Sequence, residues 1–221
     1  MIAERIHTLT SELPEGVRLV AVSKFHPVEA IAEAYAAGQR IFGESRVQEL
    51  QVKHEQLPKD IEWHFIGHLQ TNKVKYIVPY VSLIHGIDSF RLLAEVDKQA
   101  ERVGRSVGCL LQMHIAREET KFGFSFDECR EMLQAGEWSK LQYVRLCGLM
   151  GMATNTDNMQ QVEEEFSSLA AFFREVKAGW FAADEDFREL SMGMTHDYLQ
   201  AIAAGSTLIR VGTYIFGERN Y

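Results

Sequence analysis

The feature that most constrains this chain is a repeated grammar: a short apolar run, a turn, a segment of helical period, a glycine or proline, then the next apolar run. Residues Leu19-Val20-Ala21-Val22 show it most clearly. They carry no polar alternation, so a strand there must be covered on both faces, as happens in parallel sheets flanked by helices. Parallel strands need crossover connections, and the helical segments between the apolar runs provide them. With this first strand the pattern predicts eight, the others near 40–42, 62–66, 81–85, 107–114, 144–149, 188–191 and 208–211. Helices are expected at 28–37, 45–56, 70–78, 90–103, 125–135, 158–178 and 195–203, after an opening amphipathic helix. Eight such units in 221 residues, slightly below the roughly 250 usual for the fold, predict an α/β chain forming one compact (β/α)₈ barrel, a single domain over 1–221.

Two echoes support the reading. Ala34 to Ile41 and Ala201 to Leu208 each place a glycine, Gly38 and Gly205, just past an alanine-rich helix and before a strand. A left-handed helix cap is expected at both. Phe166, Leu169, Phe172, Phe173 and Val176 recur at helical spacing and should form a core-facing stripe.

Ligands bind such folds at the carboxyl ends of the strands. Lys24 follows the first strand there, just ahead of His26, Pro27 and an alanine-rich helix. A lysine so placed can bind a phosphate, pair with a carboxylate, or attack a carbonyl as the neutral amine to form an imine. The remaining strands end in small and polar residues. After the second come Gly43, Glu44 and Ser45, and after the seventh Ser191, Met192, Gly193, Met194 and Thr195. The eighth ends Arg210, Val211, Gly212 and Thr213. Loops after strands seven and eight are the usual phosphate-holding position of barrels. Ser191, Gly193, Gly212 and Thr213 therefore form a candidate anion cradle, next to Lys24 once the sheet closes. Arg210, expected at the barrel mouth, needs an anion or another acceptor, and Glu44 or Glu218 are candidate ion-pair partners.

Composition narrows the function classes. A formal charge of −8 disfavours a nucleic-acid or anionic-membrane binder. Cys109, Cys129 and Cys147 show no C-x-x-C spacing, which fits a reducing cytoplasm and neither a disulfide framework nor a zinc site. His7, His54, His68, His114 and His196 show no metal-ligand spacing, and no apolar run is long enough to span a bilayer. The chain begins with charges and no signal-peptide pattern, so a cytoplasmic location is expected.

A lysine on strand one, a phosphate cradle from strands seven and eight and a strand-eight arginine together suggest pyridoxal 5′-phosphate (PLP) held as an imine. Leu19 to Lys24, Phe42-Gly43-Glu44-Ser45, Trp63 to Gln70 with Asn72-Lys73, Gly148 to Met150, Leu190 to Met194 and Ile209 to Thr213 occur in the order and spacing of one family. The chain resembles, over its whole length, the YggS/PROSC family of pyridoxal phosphate homeostasis proteins. The resemblance implies an alanine-racemase-like barrel of PLP fold type III, with the cofactor joined to Lys24. It places the phosphate against Ser191, Gly193, Gly212 and Thr213, with Met192 and Met194 shaping that turn and Arg210 facing the pyridine nitrogen. Ser45, His64 and Met150 would line the ring. Many family members carry Asn where this chain has Ser45, and the shorter hydroxyl reaches less far than an amide.

The same resemblance implies a PLP carrier with little or no turnover, and PLP-dependent apo-enzymes as candidate recipients. A weak amino-acid racemase using Lys24 with Tyr214 or Tyr221 is the alternative, and a Schiff-base aldolase acting on a sugar phosphate is a distant third. Related racemases take a second base from a further β domain, whereas this chain ends at Tyr221 just after the barrel. A lone barrel without a dimerising domain makes a monomer the expectation.

Overall fold

The structure is a computed structural model that describes residues 1–117 and 122–218. Its strands are β1 (Arg18–Val22), β2 (Ile41–Glu44), β3 (Glu62–Phe65), β4 (Leu83–Ile87), β5 (Val107–Met113), β6 (Val144–Gly151), β7 (Glu189–Ser191) and β8 (Leu208–Val211). All neighbours pair in parallel, and β8 returns to β1, so the sheet is a closed barrel in sequence order. The helices are α1 (Ile2–Glu12), α2 (Val28–Ala36), α3 (Val47–Gln56), α4 (Val74–Ile77), α5 (Phe90–Val103), α6 (Phe126–Ala135), α7 (Met159–Trp180), α8 (Tyr198–Ala203) and α9 (Thr213–Phe216).

Local chemistry explains the boundaries. Ser89 caps α5 through the Leu92 amide and Gly104 ends it in the left-handed conformation, while Ser125 and Glu128 form a reciprocal capping box on α6. Gly38 (φ 98°) and Gly205 (φ 103°) adopt the left-handed turns expected of them. Two helices depart from expectation. The segment 70–78 divides into a 3₁₀ turn, Thr71–Lys73, and α4. The helix expected from Thr195 begins only at Tyr198, because the Asp197 carboxylate accepts the Met194 amide at 2.5 Å and holds 194–197 as a turn.

Two apolar clusters flank the sheet. The larger fills the space between the barrel and its helices and contains Phe166, Leu169, Phe172 and Val176, while Phe173 packs on it and stacks against Phe187. The smaller, Val20, Leu83, Leu110, Cys147, Met150 and Leu208, lies in the lumen. One backbone position in the lumen wall admits only glycine. The pairing of β5 with β6 shifts register at Cys109/Leu110, and Gly148 there has φ 148°. A Cβ on it would sit 1.8 Å from the Glu189 carbonyl oxygen.

The lumen also contains a polar layer. His64 of β3 and His85 of β4 are both buried, and His85 Nε2 lies 3.0 Å from His64 Nδ1. Burial, with the Arg18 charge as a lesser cause, holds His64 down at about 3. Burial, then His64, Arg210 and Arg18, hold His85 well below the ordinary 6.5. Glu44 is displaced the other way, pushed up to about 7 by burial. Below pH 6.5 the unfolded chain therefore binds protons that the folded histidines refuse, and each imidazole withdraws about 1.4 kcal/mol per pH unit. Between its raised value and the ordinary carboxylate range, folded Glu44 binds a proton the unfolded chain lacks, offsetting one of the two. His54, held below its ordinary value by burial, acts in the same sense as His64 and His85, so stability should fall on acidification from pH 6.5 to 4.5 with a net slope of at least about 1.4 kcal/mol per unit. Urea midpoints measured across that range check it, and a flat or rising stability would contradict the neutral pair.

Candidate functional site

Strand alternation selects the residues that meet at the carboxyl end of the barrel. Val20 and Leu208 face the lumen, so Val22 and Arg210, two residues on, face it also, and Lys24 and Gly212 continue the same two rows upward. Val22, Lys24, Arg210, Gly212 and Thr213 accordingly line one cleft of about 100 Å³, with Ile66, Met152, Met194 and Thr195 completing it. Lysine, arginine and two threonines supply its polar side chains, and no carboxylate is among the lining residues.

Arg210 is 4% exposed. Its guanidinium donates to Ser191 Oγ at 2.5 Å and to the Gly151 carbonyl oxygen at 3.1 Å. Burial lowers it to about 10, with the Asp197 charge acting in the opposite sense, so it remains a cation at neutral pH. Because arginine only donates, the Ser191 hydroxyl accepts and has its own proton for His85 Nδ1, 2.9 Å away. That assigns His85 as donor from Nε2 to His64 Nδ1. A continuous buried chain, Arg210–Ser191–His85–His64, therefore runs down the lumen from the cleft. The ion pairs weighed for Arg210 are replaced by these contacts, and Glu44 pairs with Lys53 at 2.7 Å instead.

Of the residues singled out from sequence, Lys24, Met194, Thr195, Arg210, Gly212 and Thr213 converge on the cleft. Ser191 is fully buried with its hydroxyl engaged below the mouth, and Met192 packs in the helix-side core. Gly193 (φ 96°) turns the chain, and its carbonyl accepts the Arg210 amide. Since β7 stops at Ser191, this turn carries the lining positions on to Met194 and Thr195, and Thr195 Oγ1 accepts the Gly212 amide at 3.4 Å. His64 and Met150 are buried in the lumen. Ser45 borders a separate groove with Arg46, His68, Gln70 and Lys73. Tyr214 is 41% exposed and outside the cleft lining, and Tyr221 lies outside the described residues.

The turn bearing Lys24 is unusual. Phe25 has φ 68°, a left-handed conformation that costs a bulky residue on the order of 1–3 kcal/mol. Its amide donates to Glu49 Oε1 at 2.6 Å, its ring lies under Arg46, and the neighbouring His26 stacks on Phe216. Glu49 and Lys53, both on α3, were not legible as site residues. Their i,i+4 spacing is that of an ordinary surface ion pair.

The chain matches the family model for the N-terminal domain of alanine racemase over residues 1–220. The pyridoxal phosphate homeostasis protein of Aquifex aeolicus is 37% identical over 224 residues, covering 100% of this chain and 96% of that protein. PipY of Synechococcus elongatus PCC7942, solved with PLP bound, superimposes with a TM-score of 0.89 at 40% identity, covering 98% of this chain and all of PipY. The PLP-free PipY structure gives a TM-score of 0.92. An alanine racemase of Clostridium difficile shares the fold alone, at 11% identity and a TM-score of 0.74, this chain spanning 57% of it. On these matches, full-length in sequence and in backbone, the chain belongs to the family of pyridoxal phosphate homeostasis proteins built on the alanine racemase N-terminal domain.

Proposed function

We propose that this protein holds pyridoxal 5′-phosphate in the cleft at the carboxyl end of the barrel, joined to Lys24, and serves PLP homeostasis as a carrier with little or no turnover. The observation that carries this reading is the convergence of Lys24, Arg210, Gly212 and Thr213 on one cleft whose charged groups are all cationic. Such a donor set suits a ligand with a phosphate at one end and an aldehyde at the other. The relatives support it: PipY is solved with PLP bound, and the homologous family carries its name from PLP homeostasis.

When bound, PLP supplies an aldehyde for a lysine amine and a ring whose power as an electron sink depends on protonation of its nitrogen. The chain's own residues divide the work. Lys24 is the covalent anchor. Gly212 and Thr213 hold the phosphate, and Thr195, whose hydroxyl oxygen accepts the Gly212 amide, braces the turn beside them. Arg210, fixed by Ser191 and Gly151, presents a cation to the ring nitrogen and so disfavours its protonation, which keeps the sink shallow. No second acid or base lines the cleft opposite Lys24 among the described residues. Both features favour retention and delivery of the cofactor, with PLP-dependent apo-enzymes as recipients, over racemisation.

Borohydride reduction of the PLP-loaded protein should leave a pyridoxyl group on the peptide containing Lys24, read by mass spectrometry. Lys24→Ala should abolish both this adduct and the imine absorption while retaining weak PLP binding. An adduct on another lysine, or steady-state racemase, transaminase or decarboxylase turnover, would overturn the reading. The phosphate assignment is tested separately. Thr213→Val should weaken PLP binding by about 1.5 kcal/mol, roughly ten-fold, and leave the affinity for pyridoxal, which lacks the phosphate, unchanged. Equal losses for both ligands would remove Thr213 from the phosphate site.

A further inference from the structure

We propose that Glu49 and Lys53 of α3 are positioning residues that clamp the backbone on both sides of Lys24 and aim its amine into the cleft. The proposal rests on the reading of Lys24 as the cofactor's anchor.

Lys53 is 3% exposed, and its ammonium donates three hydrogen bonds: to the Ser23 carbonyl oxygen at 2.8 Å, to Glu44 Oε1 at 2.7 Å and to Glu49 Oε1 at 2.6 Å. Those three bonds use its full donor capacity. The first fixes the residue immediately before Lys24. Glu49 Oε1 also accepts the Phe25 amide at 2.6 Å, fixing the residue immediately after it. Ser23 is held a second time, its hydroxyl donating to Glu44 Oε1 at 2.6 Å. One helix thus grips both peptide neighbours of Lys24 through a single ammonium–carboxylate pair.

Two further observations separate positioning from ordinary ion pairing. Phe25 is the one residue other than glycine with positive φ among the described residues. Strain of this kind persists where the surroundings over-determine the backbone, and it marks sites where direction matters. The outer side of the turn is also open. A groove of about 850 Å³ lies there, lined by Phe25, His26, Pro27, Arg46, Glu49 and Lys53 among others. Arg46 over the Phe25 ring and Phe216 against His26 steady the side chains there, while the clamp from α3 is what holds the peptide groups on either side of Lys24. Glu44 completes it at a cost, since its second oxygen, Oε2, is buried without a hydrogen-bond partner. A buried carboxylate left half-satisfied is tolerated where a defined geometry is the return.

The test compares wild type with Glu49→Ala, Glu49→Gln and Lys53→Met. PLP is mixed with apo-protein, and growth of the imine absorption is followed by stopped flow. The equilibrium affinity for pyridoxine 5′-phosphate, which has the phosphate but no aldehyde, is measured beside it. Lys24 is also mapped, without cofactor, by its rate of acylation with an amine-reactive ester. Glu49→Ala and Lys53→Met should slow imine formation by at least about ten-fold, as misplacement of a reacting group does. Acylation of Lys24 should change rate too, and pyridoxine 5′-phosphate affinity should hold. Glu49→Gln, which keeps an acceptor for Phe25, should recover most of the imine rate. Lys53→Met leaves Glu44 buried and unpaired, so if that variant does not fold, the half-buried Glu49 variants carry the test. Imine formation at the wild-type rate in folded Glu49→Ala, or pyridoxine 5′-phosphate affinity falling in step with the imine rate, would overturn the clamp. Absence of a Lys24 adduct in the wild type would instead remove the reading on which it rests.

Discussion

The seam between β1 and β8 is the contact on which the remainder of this molecule depends. It pairs the first strand of the chain with the last, Val20 opposite Arg210 and Ala21 opposite Val211. In an open sheet of the same order these strands would be the two edges, and Lys24 and Arg210 would face different solvent. Closure removes both edges and brings the rows that end in Lys24 and Gly212 side by side. The cleft is therefore a property of the complete barrel. No sub-fragment of strands contains both walls, so a ligand that touches Lys24 and Thr213 together binds only the closed state and stabilises it by mass action.

Closure also creates a problem that the lumen must solve. A guanidinium 4% exposed cannot shed its charge, and an unpaired cation in an apolar barrel would cost several kcal/mol. The protein meets this with dipoles. Ser191 and the Gly151 carbonyl accept from Arg210, His85 accepts from Ser191, and His64 accepts from His85. Leu83, Leu110 and Met150 pack in the lumen around this chain, and at its far end His64 borders a polar cavity with Arg18 and Glu189. Neutral acceptors solvate the cation without cancelling it, and the Asp197 charge is the acid that acts on it.

Most of the architecture was legible in the sequence because it is periodic. Strand number, strand order and the glycine caps at Gly38 and Gly205 follow from apolar runs and turn chemistry, and the structure keeps them. Lys24, Arg210, Gly212 and Thr213 were legible too, as each lies one step past a strand that alternation orients. Ser191 and Met192 lie outside the cleft lining for a tertiary reason. β7 is only three residues long, and the left-handed turn at Gly193 passes the lining role to Met194 and Thr195. His64 and Met150 face the lumen as alternation requires and are buried there. The clamp from α3 had no one-dimensional signature. Glu49 and Lys53 have the spacing of a solvated pair, and a left-handed phenylalanine leaves no mark on composition or periodicity.

The lumen's charge state bears on what the site can do. Histidines are the usual proton carriers at neutral pH, and this barrel has two beneath its mouth. Both are held neutral by burial, and Arg210 itself adds to the cost of protonating His85. Neither lines the cleft, and the one nearer to it is reached only through the Ser191 hydroxyl. Groups that elsewhere serve as general acids are here fixed as acceptors in a scaffold that steadies a cation. Arg210 accordingly keeps its positive charge across the neutral range. Among the described residues, the side chains that line the cleft beside Lys24 are methionine, isoleucine, valine, threonine and that one buried arginine, so its fixed charge is set against an otherwise neutral wall.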